Sequence, residues 1–446
     1  MSAQPAPSAA SADRPLRRLR ALRLPAWSRA EACSDAVCAQ LNDASDLTAL
    51  VDLAIDAASG RFGAIIPHDP QAPAQPGDWD ARGAVLLPPL VEPHAHLDKA
   101  YTVHRAPPQA PGLLAAIEAS HADSPRWTAE DLRARAGRGL QEAWDSGCGL
   151  LRTHINWYTP PAPLAWDVIG ELAEEWAPRL VVERVNISPL PLFADADAAL
   201  TLARHVAASG GGVLGAFVHT HLRDPVALRR LFTLAAEFGL RIDLHADEEL
   251  RPEADGVALA AALTREFGLQ GRVACSHACA LAVQDEATAL RTLDAVADAG
   301  VSLITLPTTN LLLQDAVTGR TPRQRGLTLV QEARARGIPV AVGSDNVQDA
   351  FCPQGRHDPL AAYALAVLVG HLPEPLDDAS RTVCDPSALG AGVEWTGWEG
   401  APADAVLLAP AWAGEPALRG DRGLAFPSDR GARLRLHRGV LLNAAA

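Results

Sequence analysis

The sequence predicts an α/β fold: a (β/α)8 TIM barrel with a small β-sandwich domain formed by both chain ends. Three observations carry that reading. Eight apolar, β-branched segments alternate with segments of helical periodicity between residues 84 and 345. Glycine stands just before several of those strands, at Gly147, Gly239, Gly300 and Gly337, where a finished helix favours it. Outside the alternating span, both ends of the chain carry short period-two patterns typical of strands.

Taken in order, residues 1–13 are rich in Ala, Ser and Pro and read as a disordered tail. They lack the charged region leading into an apolar stretch that marks a signal peptide. Segments 17–24, 51–56 and 62–66 read as strands, and 70–83 as a turn cluster. The barrel strands are then expected at 84–94, 149–156, 180–187, 212–219, 241–247, 272–277, 301–307 and 338–345. Helical periodicity is clear at 128–146 and 227–238. Connections are short except after the first strand, where 98–127 suggests a rim loop or lid. Strands at 403–408 and 433–437 are expected to pair with the N-terminal ones. The small β domain is thus 14–84 plus 391–446, and the barrel 85–390.

With 446 residues, 48% of them hydrophobic, the chain can bury a large core. Its net charge of −14 is spread out and favours neither nucleic acid nor an anionic membrane. The short basic stretch 14–20 reads as a solvated strand flank. Seven scattered cysteines without a Cys-x-x-Cys argue against a disulfide framework and for a reducing compartment. No apolar run reaches the roughly 18 residues of a membrane span. A cytoplasmic protein with a small-molecule partner follows, and a homo-oligomer is compatible with this composition. Lysine occurs once, at Lys99.

Chemistry in such a barrel sits at the C-terminal strand ends. The first strand ends in His94-Ala95-His96, which places two imidazoles on one face. The second carries His154, the fourth His219 with His221 beyond, and the fifth His245-Ala246-Asp247-Glu248. The sixth ends in Ser276-His277 and the eighth in Ser344-Asp345-Asn346. Each alone is compatible with a satisfied core residue or a helix cap; their common register points to one site. Neutral imidazoles with one carboxylate suit a divalent ion such as Zn or Fe, with His94, His96 and His245 as nitrogen ligands and Asp345 as the oxygen ligand. An open position would hold a water of lowered pKa. Asp345 could both touch the ion and accept the water's proton. Glu248 is placed for proton transfer to a ring nitrogen and leaving group, and His277 to donate to or polarise the attacking oxygen.

The motifs at 88–98, Arg152-Thr153-His154, His245-Ala246-Asp247-Glu248, Ser276-His277 and 343–349 resemble the amidohydrolase superfamily, in its cytosine deaminase-like branch. The resemblance implies the same metal ligands and the same proton-transfer roles for Glu248 and His277. It also implies hydrolytic deamination of a small N-heterocycle, such as a pyrimidine, purine or triazine. Two-metal relatives are bridged by a carboxylated lysine on the fourth strand. That strand has none here, which favours one ion. At the positions that read substrate, Asn346 replaces an aspartate and Phe351 a tryptophan, and Asn186 and Ser188 lie in a stretch without the expected glutamine. Those differences point away from cytosine itself. Ring opening of a cyclic amide on the same ion is the alternative reaction, and a heterocycle-binding barrel without turnover the non-enzymatic alternative.

Overall fold

The structure, a computed structural model, describes residues 15–29, 49–210, 212–373, 375–390, 395–408 and 433–442. The tail expected at 1–13 lies outside the described residues. Eight parallel strands form the barrel: β6 (Leu90–Ala95), β7 (Cys148–Asn156), β8 (Val181–Ile187), β9 (Val213–Val218), β10 (Arg241–Ala246), β11 (Val273–His277), β12 (Ser302–Thr305) and β13 (Val340–Val342). They follow one another in sequence order around the sheet, and an Ala95–Asp345 bridge joins the last strand to the first. Gly147 (φ 105°) and Gly239 (φ 68°) cap their helices in the left-handed region, which costs glycine no Cβ clash. The main apolar core lies between barrel and helices, with Leu151, Ile155, Leu214, Leu244 and Leu303 facing Trp166, Leu202, Leu231 and Leu293. Among the described residues no helix is long and apolar enough to cross a membrane.

The sandwich is assembled differently from the sequence expectation. Residues 84–94 are two strands, not one. Pro88 and Pro89 lack backbone N–H groups and end a ladder between them. Before them, β5 (Val85–Leu87) pairs antiparallel with β14 (Ala405–Leu408); after them, β6 enters the barrel. The C-terminal strands therefore pair with β5 and not with the N-terminal strands, giving a sheet ordered β16-β15-β14-β5, where β15 is Arg433–His437 and β16 is Val440–Leu442. A second sheet contains β1 (Arg18–Leu22), β2 (Val51–Asp56), β3 (Arg61–Pro67) and β4 (Asp78–Asp80). The strand β4 lies inside the expected turn cluster and runs parallel to β1. Leu19, Leu22 and Leu53 of one sheet meet Leu86, Leu407 and Leu436 of the other.

Two connections also differ. The 98–127 segment contains a helix, Leu113–Asp123, pinned by Arg105 to Asp123 at 3.0 Å and to Asp131 at 2.8 Å. The eighth strand ends at Val342, so Ser344 and Asp345 lie past the ladder. Between β8 and β9 only Val185 and Val213 are registered. There the side chain of Asn186 replaces the missing ladder bonds: its Oδ1 accepts from Gly215 N at 3.0 Å and its Nδ2 donates to Gly215 O at 2.7 Å. A Cβ on Gly215 would sit 2.4 Å from Asn186 O and 2.7 Å from Asp243 O. Both are backbone atoms that cannot move aside. Gly215→Ala should therefore destabilise the protein by about 1–3 kcal/mol. A chemical denaturation midpoint equal to wild type would contradict this.

Candidate active site

Strand alternation delivers the site. His94 and His96 leave the end of β6 on one face, His245 leaves β10, and Asp345 follows β13. All four are buried. The Nε2 atoms of His94 and His96 are 3.3 Å apart, those of His94 and His245 3.0 Å, and those of His96 and His245 3.4 Å. Asp345 Oδ1 lies 3.2 Å from His96 Nε2 and 3.7 Å from His94 Nε2.

Their outer hydrogen bonds fix which atoms carry lone pairs. His94 Nδ1 donates to Ser276 Oγ at 2.9 Å, and His96 Nδ1 donates to the His154 carbonyl at 3.0 Å. Each neutral ring then presents an unprotonated Nε2. Burial pushes His94 and His245 well below the ordinary imidazole pKa, and neighbouring imidazoles add to that. Burial opposes ionisation of Asp345, yet its surroundings hold the carboxyl below its usual range. Lone pairs thus converge at separations near the ~3.4 Å expected between ligands about 2.1 Å from one tetrahedral ion. Acceptors so crowded repel unless a cation lies among them. The residues fit a divalent metal.

Behind these four residues runs a buried relay. Ser276 Oγ donates to Asp243 Oδ1 at 3.2 Å, and Arg152 Nη1 donates to Asp243 Oδ2 at 2.8 Å. Arg152 also bonds Glu183 and the Leu389 carbonyl. The His154 ring stacks on His94, centroids 3.8 Å apart.

In front of them, a cavity of about 270 Å³ opens to the rim. His277 Nδ1 donates to Asn310 Oδ1 at 3.0 Å, which leaves its Nε2 an acceptor. Burial keeps that imidazole below its usual pKa, hence neutral. Together with His94 and His245 it also offers a nitrogen within 4.8 Å of theirs. Glu248 Oε1 lies 3.6 Å from His277 Nδ1. Burial pushes Glu248 well above the carboxylate range, and the charge of Asp345 adds to this.

The profile of the Amidohydrolase family matches residues 170–422. A pterin deaminase of Rhizobium rhizogenes is 37% identical over 79% of this chain and 80% of its own length. The chain belongs to the amidohydrolase family. Two solved structures share the fold of this amidohydrolase. One is the 5-methylcytosine deaminase of Klebsiella pneumoniae liganded with 5-fluorocytosine, with a TM-score of 0.77 and 22% identity over 96% of this chain and 98% of that one. The other is the N-isopropylammelide isopropylaminohydrolase of Burkholderia multivorans, with a TM-score of 0.72 and 24% identity over 96% and 98%.

Of the substrate-facing positions expected in this amidohydrolase, Asn346 and Phe351 line the cavity. Asn346 Nδ2 donates to Asp349 Oδ2 at 2.7 Å, which leaves the Asn346 carbonyl to accept. Asn186 and Ser188 do not line it. They point into the wall, where Asn186 bonds Ser188 Oγ and Gly215, while Ile187 and Pro189, of opposite parity, face the cavity. Sequence reading assigned no role to Asn156 and Tyr158, or to Phe217, His219 and His221. Both sets sit at two-residue spacing, past His154 and across the end of β9; the sequence already placed His219 and His221 at that rim, and alternation extends the rows to Asn156, Tyr158 and Phe217. The roof of Leu113, Leu114 and Ile117 carried no such signal.

Glu92 was also unassigned. It is fully buried at the closing seam, accepting from Ser344 N at 3.0 Å and from the Ser344 hydroxyl. Burial pushes its carboxyl from 4.5 up to about 8. Below pH 4.5 both folded and unfolded chains are protonated; between 4.5 and about 8 only the unfolded chain ionises, so this group's effect on stability worsens as pH rises. Glu92→Gln, which cannot ionise, should gain stability relative to wild type across that window, read from melting temperatures at several pH values; parallel curves would refute it. Ser276→Ala removes the acceptor of His94 Nδ1 and should weaken metal affinity about 10–100-fold. Competition against a fluorescent chelator measures this, and unchanged affinity would refute the relay.

Proposed function

We propose that this protein is a metal-dependent hydrolase that deaminates an amino-substituted N-heterocycle, with pterin the first substrate to test. One divalent ion, Zn or Fe, would be held by His94, His96, His245 and Asp345. The observation that carries the reading is three imidazole Nε2 atoms and a carboxylate converging beneath a mostly apolar cavity, with the buried carboxyl of Glu248, its pKa raised by that burial, beside them. Similarity to a pterin deaminase supports the substrate class.

When bound, the ion supplies Lewis acidity and brings the pKa of water toward neutrality. The chain's own groups do the rest. His277 Nε2 offers a lone pair that orients the attacking water, and Asp345 accepts a proton on the same side. Glu248, whose carboxyl burial makes hard to ionise, delivers its proton to the ring nitrogen beside the attacked carbon, then carries the proton that Asp345 took from water to the departing amine, which leaves as ammonia. Asn346 accepts a ring N–H through its carbonyl. Ile187, Pro189 and the Leu113–Ile117 roof keep bulk water out. Among the described residues, five buried free thiols fit the reducing cytoplasm as its place of work.

Ammonia release and product mass test the proposal. Deamination exchanges an amino group for oxygen, whereas ring opening adds one water. Glu248→Gln should lower kcat by about 10²–10⁴-fold while metal content stays stoichiometric. Ammonia release equal to wild type would overturn the mechanism.

A further inference from the structure

The single lysine has a setting that the mechanism does not use. Lys99 is 4% exposed and follows His96 at the end of β6. Its Nζ donates to Asn156 Oδ1 at 3.2 Å and lies 4.8 Å from the centre of the Phe351 ring. Lys99, Asn156 and Phe351 all line the cavity that holds Glu248 and Asn346. Among the described residues, no carboxylate forms an ion pair with it. A buried ammonium has three donors. One neutral amide oxygen and a ring face leave it under-satisfied, and a buried charge in that condition is costly unless something else completes it. Everywhere else the chain uses arginine as its cation. At this position it uses the compact point charge that a small cavity admits.

We propose that Lys99 is a specificity-determining residue: its remaining N–H donors bind a ring oxygen of the substrate, so the enzyme selects amino-oxo heterocycles over diamino ones. The assignment rests on the deaminase reading for its substrate class. It also fits Asn346, whose free carbonyl accepts where Lys99 donates. A ring lactam, with its adjacent N–H and C=O, offers the matching pair. Asn156 then acts as the fixed acceptor that aims the lysine.

The test uses metal-loaded full-length protein. We would measure kcat/KM for pterin, which carries a 4-oxo group, and for 2,4-diaminopteridine, which carries an amine there. Binding of lumazine, the dioxo ring that cannot lose an amine, gives a readout without turnover. Wild type should prefer pterin, and Lys99→Met should narrow that preference about ten- to hundredfold and weaken lumazine binding comparably. Lys99→Arg should restore part of the affinity. Metal content and melting temperature screen each variant, and Lys99→Gln replaces Lys99→Met if that variant does not fold. Equal losses on both pteridines, or lumazine binding unchanged, would overturn the proposal. A loss confined to pterin-6-carboxylate would also overturn it, because the partner would then be a carboxylate. If wild type deaminates neither ring yet Lys99→Met still loses lumazine, the deaminase reading fails while the lysine assignment stands. If wild type neither binds lumazine nor turns over pterin, both fall.

Discussion

The site depends on one backbone hydrogen bond. Asp345 N donates to His94 O at 2.9 Å, where the last strand of the barrel meets the first. The donor belongs to the residue bearing the carboxylate and the acceptor to the residue bearing an imidazole. Barrel closure and the meeting of these side chains are therefore the same event. Asp345 makes the contact at φ 63°, an uncommon conformation for a residue with a Cβ, and the surrounding seam must hold it there. Glu92 does much of that holding, because β13 ends at Val342 and leaves the N–H of Ser344 without a strand partner.

Below the seam, a line of buried polar side chains crosses the barrel interior. Arg152, Asp243, Ser276 and His94 form a chain of donors and acceptors from the barrel's centre to its mouth. Its purpose is directional. Each link uses up a hydrogen on the inner side, so that the outermost nitrogen faces the cavity bare. His277 and Asn310 repeat the device from another wall.

Much of this was legible in the residues themselves. Period-two spacing alone set His94 beside His96, and the strand–helix rhythm brought His245 and Asp345 to the same rim. What escaped reading has physical causes. Asn186 looked like a polar residue facing substrate, yet the ladder between β8 and β9 is nearly absent, and its amide is consumed in repairing it. Glu92 looked like part of a motif without a task, because a carboxylic acid buried in a seam leaves no periodic trace. The Leu113–Asp123 helix sits over the cavity by tertiary packing on Leu313 and Phe351, and its own sequence carries no clear apolar stripe. The prolines at 88 and 89 were visible, but an unbroken apolar run masked the change of sheet between them.

That change of sheet bears on how the molecule is made. The strand β5 leads through two prolines into β6, and its partner β14 is synthesised only after the whole barrel. Until then the nascent chain carries an open sheet edge next to the strand that presents His94 and His96. Completion of that sheet therefore waits on the last part of the chain to be made, although the sheet supplies none of the residues gathered at the barrel mouth.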